Sequence, residues 1–135
     1  TCDAFVQHHD IAATALDAAG VAPPAPLDGK SFLDTAFGSG KPIRDHVTVG
    51  WGGAMTVIDD AHWMNCKVNG RGPFLYDSPR PAPDARNLAD AHPGVVERLF
   101  ALGKADAAGG FPEYLMQQAE SADDAPGCSP FAAIR

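Results

Sequence analysis

This 135-residue sequence predicts an α+β fold, a small antiparallel sheet of three to four strands flanked by helices. Three observations carry that expectation. Apolar residues recur at helical spacing near residues 10–19 and 92–105. Between them, residues 46–77 break into short β-branched or aromatic runs punctuated by Gly and Asp. Pro-rich stretches separate these regions and deny the backbone donors that a helix or inner strand needs.

The first helix is expected over Asp10–Ala19, where Ile11, Ala15, Leu16 and Ala19 follow the helical period. Gly20 stands where a C-terminal cap belongs, and Asp10 serves as N-cap or first-turn acid. VAPPAPLDG follows as a loop. Ser31 is placed to cap a short helix ending at Ala36. VTVGW, AMTVIDD, HWMNCKV and PFLYD are the strands, with turns at Asp59-Asp60-Ala61 and Asn69-Gly70-Arg71-Gly72. A second strong helix begins at Pro93 and buries Val95, Val96, Leu99, Phe100 and Leu102. A third is expected from Pro112 to Ser121, and residues 123–135 form an irregular tail. The length suits one domain, its structured part spanning 1–122.

Charge and composition exclude several functions. Ten Lys+Arg against 17 Asp+Glu give a net charge of −7, which argues against a nucleic-acid surface. No apolar run is long enough for a membrane helix, so no membrane partner is expected. Cys2, Cys66 and Cys128 form no CxxC pair and read as free or buried thiols, which weakly favours the cytoplasm and leaves the compartment open.

No catalytic constellation is complete. His8-His9-Asp10 lacks a second cluster to converge with, so the sequence names no metal ligands. GSGKP departs from a phosphate loop, with Thr35 and Pro42 at positions that need Gly and Ser/Thr. Cys128 has no nearby basic partner to form a thiolate, and Cys66 falls within a strand and is expected to be packed. The acids Asp59-Asp60 read as a turn rather than a general acid/base pair.

The segment from His62 to Asn69 is richer. On a strand, His62, Met64, Cys66 and Val68 share one face, and Trp63, Asn65, Lys67 and Asn69 the other. The second face either lines a binding site or interface, or stands solvated, the blander reading. With Trp51, residues Asn65 and Lys67 are the candidate substrate-binding side chains.

The order of motifs resembles the C-terminal portion of the sulfatase family, within the alkaline-phosphatase superfamily. Asp10, Ile11, Thr14 and Leu16 match the family's helix motif, with Ala13 where Pro is usual. Asp28-Gly29 match the end of its Pro-rich loop, Leu75-Tyr76-Asp77 its L-Y-D strand, and Asn87-Leu88-Ala89 its N-L-A element. The likeness runs from about residue 6 to 102, with the D-P-x-E element reduced to Ala82-Pro83-Asp84-Ala85.

That resemblance implies an enzyme hydrolysing sulfate, phosphate or phosphonate esters with a divalent metal, calcium expected, and a formylglycine. It places both groups in a larger N-terminal catalytic domain, the chain's expected partner, and makes an anionic ester the substrate. The C/S-x-P-S/A-x-R motif that yields formylglycine does not occur here, so the chain by itself is expected to be inactive. Thr1 and the lack of a strand before the first helix favour a truncated piece. The competing expectation is a stand-alone binding or assembly module derived from that subdomain. A third, an unrelated enzyme using Cys128 or the histidines, has the least support.

Overall fold

The computed structural model describes residues 3–38, 41–77 and 86–121. Their order is α1 (Asp10–Ala18), α2 (Leu33–Ala36), β1 (His46–Trp51), β2 (Ala54–Asp59), β3 (Trp63–Lys67), β4 (Phe74–Tyr76), α3 (Pro93–Asp106) and α4 (Glu113–Ser121). The strands form one sheet in the order β1-β2-β3-β4, and the fold is α+β as the sequence predicts. The chain gathers into two compact units, Thr1–Val47 and Thr48–Arg135.

In the first unit, α1 ends as its sequence requires. Val21 N–H donates to Leu16 O at 2.9 Å and Gly20 N–H to Asp17 O at 3.0 Å, with Gly20 at φ +67°. This is a Schellman cap, and the positive φ is cheap only for glycine. The helical period did not translate into burial, however. Ile11, Ala15 and Ala19 are exposed and Leu16 is half-buried. Among the described residues of this unit only Asp10 and Thr35 are buried, and both are polar.

The second unit holds the apolar core. Register pairs Met55 with Cys66, Val57 with Met64, and Met64 with Leu75, so these five share one face of the sheet. Leu99 of α3 and Ala119 of α4 join them in the buried cluster, together with Val68 and Ala89. Val95, Val96, Phe100 and Leu102 pack against it half-buried, as the helical pattern predicts. The Asp59 carboxylate closes the β2–β3 turn by accepting from Ala61 N–H (3.0 Å) and His62 N–H (2.7 Å). In the next turn Gly70 and Gly72 take positive φ, and Asn69 Oδ1 accepts from Arg71 N–H.

Two glycines set how closely helices approach the sheet. A Cβ on Gly53 would lie 2.6 Å from Ala119 N and 2.9 Å from its Cα, both backbone atoms of α4. On Gly103 it would lie 2.8 Å from Met55 Sδ and 2.9 Å from Val57 Cγ2, both side-chain atoms. Backbone cannot yield, whereas the Met55 tip can, and Ala in a helix recovers about 1 kcal/mol over Gly. Urea melts followed by Trp fluorescence are therefore expected to show Gly53→Ala costing about 3 kcal/mol and Gly103→Ala distinctly less. Equal losses, or the reverse order, would contradict this packing.

Candidate functional site

The sequence-derived site residues fall in different environments. Trp51 ends β1 with 88% of its surface exposed. Asn65 and Lys67, on β3, are each only 3% exposed. They do share one face, as strand alternation predicts, but that face is not solvated at these positions. As they stand, neither offers surface to a ligand, and of the three only Trp51 presents its side chain to solvent.

Asn65 is held by its neighbours. Its Oδ1 accepts from the Trp63 indole N–H at 3.1 Å and from the Thr56 hydroxyl of the paired strand. An indole N–H can only donate, so the amide cannot flip without facing donor to donor. Nδ2 is consequently turned into buried surroundings without a hydrogen-bond partner among the described residues. Asn65 thereby orients Trp63 and ties β2 to β3, a positioning task.

Most of the chemistry-bearing residues serve structure. Cys66 is packed in the core, and burial pushes its thiol up to about 12, which removes thiolate character near neutrality. Asp59 takes 2.7 Å from Arg98 of α3 on Oδ2, with His62 Nδ1 3.4 Å from Oδ1. Burial acts to raise the Asp59 pKa, but the Arg98 hydrogen bond and the two turn N–H donors outweigh it and hold the carboxyl below 3.8. That arrangement fastens a turn to a helix and keeps the Asp59 carboxyl ionised near neutral pH. Cys2, Cys128, the Ala82–Ala85 element and the tail lie outside the described residues.

The densest polar cluster is one the sequence does not announce. Asp10 is fully buried in the first turn of α1, with His9 rather than Asp10 at the N-cap. Its carboxylate accepts from Gln7 N–H (2.7 Å) and Lys30 N–H (2.9 Å) and is ion-paired with Arg44, which also donates to Gln7 Oε1. Burial would raise its pKa, but these N–H donors and the Arg44 charge together lower it. Thr14 adds a second tie: its hydroxyl donates to Asp10 O and accepts from Phe32 N–H at 3.1 Å. Arg44 stands 34 residues from Asp10, so no local pattern could have paired them.

The motif residues therefore interlock. Gly29 sits where a Cβ would lie 2.0 Å from His9 O, and its bareness lets the loop bring Lys30 N–H to Asp10. Asn87 likewise binds the segment after β4 back to the strand: Oδ1 accepts from Leu75 N–H (2.9 Å) and Ala89 N–H (3.0 Å), and Nδ2 donates to Pro73 O (3.0 Å).

Among the described residues, no group of three or more His, Cys, Asp or Glu is placed to hold a metal ion. None of their helices is long and apolar enough to cross a membrane. The chain matches no known family model, and no curated protein matches it.

Proposed function

We propose that this chain is the C-terminal part of a sulfatase-like ester hydrolase, a subdomain that holds neither nucleophile nor metal. The observation that carries the reading is the interlocking of the resembling motifs. Asp10, Thr14, Gly29 and the residues just after Gly29 are complementary to one another atom by atom, and Asn87 is complementary to β4. This mutual fit supports reading the separate motifs as parts of one subdomain.

In the complete enzyme the reaction would be hydrolysis of a sulfate, phosphate or phosphonate ester. The resemblance assigns both the metal and the formylglycine to the catalytic domain; among the described residues no group of three or more His, Cys, Asp or Glu is placed to hold a metal ion. The metal would supply charge stabilisation at the ester oxygens there. This chain's contribution is to dock on that domain and to offer Trp51 at the pocket rim, where a flat exposed indole suits stacking on the organic portion of an ester. Docking would cover Val6, Ile11, Val21, Leu27 and Phe37, which are exposed and lie in a unit with no buried apolar residue among those described.

The same exposed residues suit the second reading, a stand-alone assembly module, because it too must cover them. Activity separates the two. With 4-nitrophenyl sulfate and 4-nitrophenyl phosphate, the 135-residue chain is expected to hydrolyse neither ester, and the product of the extended reading frame to hydrolyse at least one. Trp51→Ala in that longer product should raise KM with kcat little changed. Turnover by the 135-residue chain would overturn the proposal, and an inactive longer product would favour the assembly module.

A further inference from the structure

We draw no further inference here: the strongest candidate, the open apolar groove of about 470 Å³ in the first unit that Leu16, Val21 and Leu27 line beside α1, is an unpartnered face, and nothing in the structure shows what covers it.

Discussion

Asp10→Ala is expected to cost about 3–5 kcal/mol and to release the first unit, α1 and the loop around Lys30 together. The size follows from what the carboxylate holds. Its removal leaves the Gln7 and Lys30 N–H groups without their acceptor, and it leaves the Arg44 guanidinium, whose side chain is 11% exposed, without its countercharge. No apolar core among the described residues of that unit compensates. Asp10→Asn keeps an acceptor and the shape but loses the charge, so its loss should be smaller.

Hydrogen exchange at Lys30 N–H and Gln7 N–H gives the readout, because both amides donate to this one side chain. Both are expected to lose protection together in the alanine variant. Acid should reproduce the effect. The folded pKa of Asp10 lies below the ordinary 3.8, so its contribution is present above that value and is lost as pH falls below it. Unchanged protection of Lys30 in Asp10→Ala would refute the assigned role.

Gly29→Ala is the second large effect. The added methyl would lie 2.0 Å from His9 O and 2.6 Å from His9 C, a collision with backbone that no rotamer can relieve. The loop must back away from α1, and the Lys30–Asp10 hydrogen bond breaks with it. A loss of about 3 kcal/mol or more is expected, at the upper end for overpacking. Because both substitutions break the same tie, the double variant should cost less than the sum of the two. Full additivity in a double-mutant cycle would show that Gly29 and Asp10 act independently.

What the sequence discloses of this fold is local. Period-two alternation from His62 to Asn69 is enough to divide β3 into its two faces, and Gly20 marks the end of α1 because a positive φ has few tenants. Ile11, Ala15 and Ala19 show the limit: helical spacing tells that a helix forms and which side is apolar, but not whether anything lies against that side. Burial of Asn65 and Lys67 was equally hidden, since a strand with polar residues on one face reads the same whether that face meets water or protein. Nothing in the sequence distinguishes Gly53 and Gly103 from the other glycines, and only the packed structure reveals the close approaches they permit.

The site was legible in still smaller part. Asp10 and Gly29 stood out as motif members, but the reason they belong together runs through Lys30 N–H and Arg44, 20 and 34 residues from Asp10. Backbone donors carry no sequence signal, and an arginine in a turn-rich segment looks like any surface charge. Of the three candidate binding residues, Trp51 is 88% exposed whereas Asn65 and Lys67 are each 3% exposed, a difference that residue type and strand alternation do not encode.

On the proposed function, this subdomain would serve a catalytic domain encoded with it. Sequencing the coding DNA upstream of the Thr1 codon tests this proposal. The expected result is an open frame running on through a C/S-x-P-S/A-x-R motif and acids that bind a divalent metal. An initiation codon immediately before Thr1, preceded in frame by a stop, would contradict it and leave a binding module to explain.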